Sequence, residues 1–310
     1  MSVDDFLSRT EARHAENTLK NRRVALRQFR EYLNGLGLDV QSVEPYHIED
    51  WIDTLLLDDY APRSIRAKVY IVSAYYEYAA NRNEVDENPV ESVNLKGYSD
   101  TRINESTEVR YITPDDYQQM LSECGKLRNE LLLRLLWNTG VRASEAVDIQ
   151  IEDIDRDDHS IVVETAKSAK LKSAKKRTVY YNRQFAGLLR KWLDKGGRSA
   201  YLGVEDDEQG YLLVTKQAPS MAVGRVSEIV REIAEPAGVQ EVVYTDQSGR
   251  PRNKVTAHTF RHSYAVNRVK KGMPLVYLQT LMGHSDIDIT RKYLHFREDD
   301  VKEADKRYRP

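Results

Sequence analysis

The chain has 310 residues, more than one compact core usually holds, so two domains are expected, each able to bury a core of its own. Its single cysteine, Cys124, excludes an internal disulfide and a cysteine-rich zinc site; no apolar run reaches the ~18 residues of a membrane span, and the polar, acidic N-terminus is unlike a signal, so a cytoplasmic protein with no membrane partner is expected. The net charge of −2 argues against a nucleic-acid partner only as an average: the first third is acidic, the remainder basic, and Lys167, Lys170, Lys172, Lys175, Lys176 and Arg177 share one acid-free stretch.

In chain order, the first third reads as helices. Leu19, Leu26, Phe29 and Leu33 keep one face of a helix that stops at Gly35 and Gly37. A second helix follows Pro45 and carries Ile48, Trp51, Ile52, Leu55 and Leu56. A third carries Ile65, Val69, Val72, Tyr76 and Ala79, and Asn88-Pro89 breaks its pattern. Residues 1–94 are therefore expected to form a small helical bundle.

Residues 95–110 lack apolar periodicity and are rich in Ser, Thr, Asn and charge, as a linker is. The second domain, 111–310, opens at Thr113-Pro114-Asp115-Asp116, where Thr caps, Pro fits the first helical position and the acids suit the helix dipole. Two strands, Ile161–Val163 and Thr178–Tyr181, are joined by the basic stretch, and Tyr211–Val214 reads as a short third. Val243-Tyr244 and Lys254-Val255 flank a turn at Ser248-Gly249. The fold class is mainly α with a small antiparallel sheet, an α+β chain.

Three groups of residues carry possible chemistry. The apolar helix Leu131–Trp137 ends at Thr139-Gly140, and Arg142 follows at a new helix start, where it could hold a phosphate oxygen with Glu145 orienting its guanidinium. The plainer alternative is a surface ion pair three residues apart. His258 and Arg261 have helical spacing and could grip one anion from a shared face, with His262 pointing elsewhere. Gly283 looks like the residue that ends the helix 274–282, leaving His284 in a turn. Ser285 with Asp288 resembles a capping box, which would place Tyr293 about two turns into the next helix, where it can converge with His284.

Taken in order, TGVRASE, HTFRH and MGHSDIDITRKY resemble the three boxes of the tyrosine recombinase family, the phage-integrase-like or Xer-type recombinases. The segment SIRAKVYIVSAYYEYAANRNEVDENPVESV is similar to the end of that family's SAM-like core-binding domain, and the likeness covers roughly residues 10–300. It implies a catalytic domain over 111–310 in which Tyr293 attacks a phosphodiester to form a 3′-phosphotyrosine. A phenol with a pKa of about 10 needs help at neutral pH. Arg142 and Arg261 would stabilise charge on the phosphate, His258 would donate to it or help accept the phenolic proton, and His284 would hold Tyr293 or the phosphate. A hairpin lysine would protonate the departing 5′ oxygen; the family pattern favours Lys167, with Lys170 or Lys172 open.

The resemblance also implies double-stranded DNA with a specific recombination site as substrate, a homotetramer on that DNA, accessory DNA-binding proteins as further partners, and no ATP, metal or other cofactor. Arg22, Arg23 and Arg27 on one helix, Arg63, Arg66 and Lys68 at the start of another, and Lys170 and Lys172 in the hairpin would touch phosphates, or else belong to solvated faces. A type IB topoisomerase and a non-catalytic DNA-binding relative are the rival readings. Integration, excision and dimer resolution are not separable from the catalytic boxes.

Overall fold

A computed structural model describes residues 3–14, 16–58, 60–93, 95, 109–164, 176–203, 210–245, 251–284, 287–291 and 293–297. The chain divides into two compact units that meet in sequence between Thr107 and Glu108.

The N-terminal unit holds helices α1 (Val3–Arg13), α2 (Glu16–Leu36), α3 (Pro45–Leu57) and α4 (Pro62–Ala80). Proline occupies the first position of both α3 and α4, where its missing N–H costs nothing. The apolar stripes converge on one core, in which Phe29 packs on Trp51 with ring centres 4.8 Å apart, and the Tyr76 hydroxyl donates to the Val40 carbonyl at 2.8 Å. Helix α1 has no counterpart among the expected elements. Its apolar positions are few, but Val3, Phe6 and Thr10 fall on one stripe and are all buried, and the Thr10 hydroxyl is satisfied by the Phe6 carbonyl at 2.8 Å. Helix α4 ends at Ala80, before Asn88-Pro89, in a turn where Asn83 takes a left-handed φ of 57°.

The second unit carries the expected helix cap at Thr113. Thr113 caps α5 (Pro114–Ser122), accepting from the Asp116 N–H at 3.1 Å while Asp116 accepts from the Thr113 N–H. Helix α6 (Leu127–Thr139) is buried on almost every side, with Leu131, Leu132, Leu133, Leu135 and Leu136 all inaccessible to solvent. At ~1.5–3 kcal/mol for each fully buried leucine, α6 is the axle of this core. Gly140 ends it at a φ of +63°, and α7 (Ala143–Asp148) follows at once.

Strands β1 (Ile154–Asp155), β2 (Ser160–Glu164) and β3 (Lys176–Tyr180) form an antiparallel sheet in that order, with Ile161 opposite Val179 and Val163 opposite Arg177. Tyr211–Val214 is not a strand. Tyr211 makes a single bridge to Gln150, and Leu212, Leu213 and Val214 are consecutively buried, so the alternation a half-covered strand needs is absent. Helices α8 (Arg183–Leu193) and α9 (Val223–Ala234) complete the core. A two-stranded ribbon pairs β4 (Val242–Thr245) with β5 (Pro251–Asn253); its second strand lies just ahead of the expected Lys254-Val255, and the Ser248-Gly249 turn lies outside the described residues.

Helix α10 (Ala257–Lys270) packs against α6 and is followed by α11 (Leu275–Met282) and the one-turn α12 (Asp288–Arg291). The Ser263 hydroxyl, fully buried, accepts from the Ile112 N–H at 2.7 Å and ties α10 to the entry of the unit. No helix among the described residues is long and apolar enough to cross a membrane.

Candidate active site

The site is built where α6 stops. Gly140 turns the chain so that Arg142 becomes the residue before α7 and Glu145 its third residue. The Arg142 N–H donates to one Glu145 oxygen at 2.8 Å and its guanidinium to the other at 2.7 Å. Glu145 is 1% exposed, so the surface ion pair that the spacing also allowed is ruled out.

Arg177 reaches the same carboxylate from β3. Its two terminal nitrogens donate to Glu145 at 3.1 and 2.7 Å, and its Nε donates to the Leu281 carbonyl at 2.8 Å. The strand pattern explains why. Arg177 and Val179 are two apart and share the inward face, so this arginine is drawn into the core rather than standing on a solvated loop.

Arg261, 2% exposed on α10, completes the cluster with a nitrogen 3.9 Å from Glu145. It also donates to the Gly140 carbonyl at 2.7 Å and to the Met282 carbonyl. Three guanidiniums thus surround one carboxylate. Burial opposes ionisation of Glu145, but hydrogen bonds and charge from Arg177 and Arg142 outweigh it and hold the carboxyl below its ordinary range. Burial pulls Arg261 down to about 10, and the like charges of Arg142 and Arg177 act in the same direction despite Glu145. A cluster with this excess of positive charge is stabilised by an incoming anion. Arg142 has the most accessible guanidinium of the three, its side chain 29% exposed, and is the one placed to meet such an anion first.

Gly283 ends α11 at a φ of +63° as expected, and a side chain there would meet Arg177 at 3.0 Å. The glycine therefore serves both the turn and the arginine beneath it. His284 lies just beyond, its Nδ1 2.8 Å from the Thr290 hydroxyl. Tyr293 is not two turns into a helix. It occupies the turn between α12 and a 3-10 segment at Leu294–Arg297, is 1% exposed, and packs with Tyr264, Leu278 and Met282. The expected Ser285 cap lies outside the described residues. Burial pushes the Tyr293 phenol up to about 12, and the charge of Arg261 only partly offsets this.

The expectation for His262 is overturned. Its Nδ1 is 2.7 Å from the Tyr293 hydroxyl, and its ring meets that of His258 edge-on, 4.4 Å between centres. The physical reason is the helix period: positions four apart share a face as well as positions three apart, so 258 and 262 are neighbours. His258 is exposed whereas Arg261 is buried, so the two sit in different environments.

The remaining candidates divide between described and undescribed residues. Lys167, Lys170 and Lys172 lie outside the described residues. In the N-terminal unit, Arg22 donates to the Thr10 hydroxyl at 2.8 Å and lies 4.9 Å over the Phe6 ring, and Lys68 donates to Gln28 and sits 4.8 Å over Tyr60. Both are held by the bundle itself, and burial lowers the pKa of each. Arg23 and Arg27 make exposed pairs with Glu11 and Glu31 at 3.8 and 3.7 Å; Arg63 is exposed and Arg66 half-buried. Among the described residues no three His, Cys, Asp or Glu side chains are grouped to hold a metal ion.

Comparison with known proteins covers both units. The Phage integrase family matches residues 110–299, and the phage integrase N-terminal SAM-like domain matches residues 4–83. Tyrosine recombinase XerD of Rickettsia bellii is 25% identical over 319 aligned residues, spanning 97% of this chain and 96% of that one. Tyrosine recombinase XerA of Saccharolobus solfataricus is 23% identical over 92% of this chain and 84% of its own length. Among solved structures, the Tn1549 transposon integrase in complex with transposon right-end DNA superposes with a TM-score of 0.71 at 18% identity, over 95% of this chain and 94% of that one. The XerH site-specific recombinase bound to palindromic difH substrate gives 0.70 at 19% identity, over 93% and 78%. The chain belongs to the phage integrase family and is a tyrosine recombinase, a site-specific DNA recombinase.

Proposed function

We propose that the chain cuts one DNA strand with Tyr293, forming a 3′-phosphotyrosine and a free 5′ hydroxyl, and rejoins it to a partner strand. The observation that carries this reading is the set of Arg142, Arg177 and Arg261 around the buried Glu145, with Tyr293 under the charge of Arg261. Attack on phosphorus builds negative charge on the non-bridging oxygens, and fixed guanidiniums in a low-dielectric site stabilise it without reorganising. Arg142 and Arg261 contact the phosphate in this reading, Arg177 fixes Glu145, and His258 and His284 flank the reacting centre. A lysine of the 165–175 segment, with Lys167 favoured over Lys170 and Lys172, protonates the leaving 5′ oxygen.

Residues 1–94 act as the core-binding domain, 95–110 as a linker and 111–310 as the catalytic domain, with double-stranded DNA as substrate and a homotetramer pairing two sites. The matched spans, 4–83 and 110–299, and the DNA in the XerH and Tn1549 integrase structures support this division. Integration, excision and dimer resolution differ in the DNA and in accessory partners rather than in the catalytic residues. The cognate site can be recovered from a randomised duplex library by sequencing protein-linked DNA. A supercoiled plasmid carrying two copies of the recovered site is expected to yield four-way junctions and recombinant circles. Relaxed circles with no junction or recombinant would instead identify a topoisomerase of the type IB kind.

A further inference from the structure

The Tyr293 hydroxyl, reactive in the reading above, is joined to an imidazole that none of the expected roles uses. His262 Nδ1 lies 2.7 Å from it, with ring centres 5.8 Å apart. One turn back on α10, His258 is exposed and meets the His262 ring edge-on. The phenol therefore connects through a half-buried imidazole to one at the surface.

We propose that His262 is the catalytic base for Tyr293, an assignment that rests on the phosphotyrosine reading. Nδ1 of the neutral ring takes the phenolic proton as the tyrosine oxygen bonds to phosphorus. The bond from phosphorus to the 5′ oxygen breaks, and that oxygen takes a proton from the hairpin lysine. In the reverse step the 5′ hydroxyl attacks, giving up its proton to the lysine, and the imidazolium returns its own to the departing phenolate. Such a base is needed because burial pushes the phenol up to about 12, and imidazole basicity is matched to proton transfer near neutral pH. The same contact read as a mere restraint is less apt, since Tyr293 already lies in a buried apolar cluster with Tyr264, Leu278 and Met282. Among the described residues, His258 on its own helix and Tyr293 on the C-terminal segment face His262, and Arg261 acts on the phenol.

The two readings predict opposite signs. Adduct formation on a nicked suicide duplex carrying the recovered site would be timed for the parent, His262→Leu and His262→Asn, with thermal melting to verify folding. His262→Leu is expected to slow adduct formation by about 10²-fold or more, the usual contribution of a general base. His262→Asn retains a hydrogen-bonding group near the Nδ1 position yet cannot take a proton. It should be comparably slow and lose the parent's rise in rate across about pH 6–8. A faster His262→Leu variant, or a His262→Asn variant with the parent's rate and pH profile, overturns the assignment; if the leucine variant does not fold, the asparagine variant decides alone. A parent that forms no adduct on bound cognate DNA overturns the phosphotyrosine reading and this assignment together, whereas a parental adduct matched by both variants overturns this assignment alone.

Discussion

Glu145→Ala is expected to destabilise the catalytic unit by about 3–5 kcal/mol, the range for removing one partner of a buried ion pair. The carboxylate is 1% exposed and receives four side-chain or main-chain donations from Arg142 and Arg177, with Arg261 3.9 Å away. Without it, the three guanidiniums repel one another in a medium that solvates them poorly. Denaturant unfolding measures the loss; a change below about 1 kcal/mol, the scale of a surface pair, would contradict the buried arrangement. The pH dependence follows from the same geometry. Because the folded Glu145 is held below its ordinary pKa of 4.5, its contribution is fully present above that value and is lost as pH falls below it. Glu145→Gln should therefore be less stable near neutrality and show a flatter acid limb.

Gly140→Ala is expected to cost about 2–5 kcal/mol, combining a left-handed backbone penalty with overpacking. The φ of Gly140 is +63°, and a Cβ there would stand 2.5 Å from two ring atoms of Tyr264. That ring cannot move aside easily: it is 1% exposed, and the Arg268 guanidinium lies 3.3 Å over it while donating to the Asn138 carbonyl at 2.9 Å. The Gly140 carbonyl also receives Arg261, so the strain passes directly into the anion cluster. The melting temperature should fall markedly; an alanine variant as stable as the parent would contradict this packing.

Much of this was legible in the sequence because it repeats with a regular period. The stripes of α2, α3 and α4 were readable, as was the Thr113 cap. Helix α1 is harder to see, since Val3, Phe6 and Leu7 are its only large apolar residues and all fall in its first half. In the site, Arg142 and Glu145 were readable as neighbours because they are three apart across a helix start. Arg177 was hidden among lysines, although its place two residues from Val179 marks the inward face of β3. His262 is four positions from His258 and so shares its face of α10, but its contact with Tyr293, 31 residues away, carries no local signal. The location of Tyr293 depends on where α12 ends, and a one-turn helix leaves too little periodicity to read. Contacts such as Arg261 with the Gly140 and Met282 carbonyls join positions 121 and 21 residues apart and carry no local signal.

In the proposed reaction Tyr293 is the nucleophile, held beside an arginine cluster built on Glu145. The most direct measurement is peptide mass mapping of the protein–DNA adduct formed on a nicked suicide duplex carrying the recovered site, in the presence of EDTA. The expected adduct is a 3′-phosphotyrosine on Tyr293, lost in Tyr293→Phe although that variant still binds the duplex. An adduct on any other residue, one that persists in Tyr293→Phe, or none from the parent protein on bound cognate DNA would contradict the account.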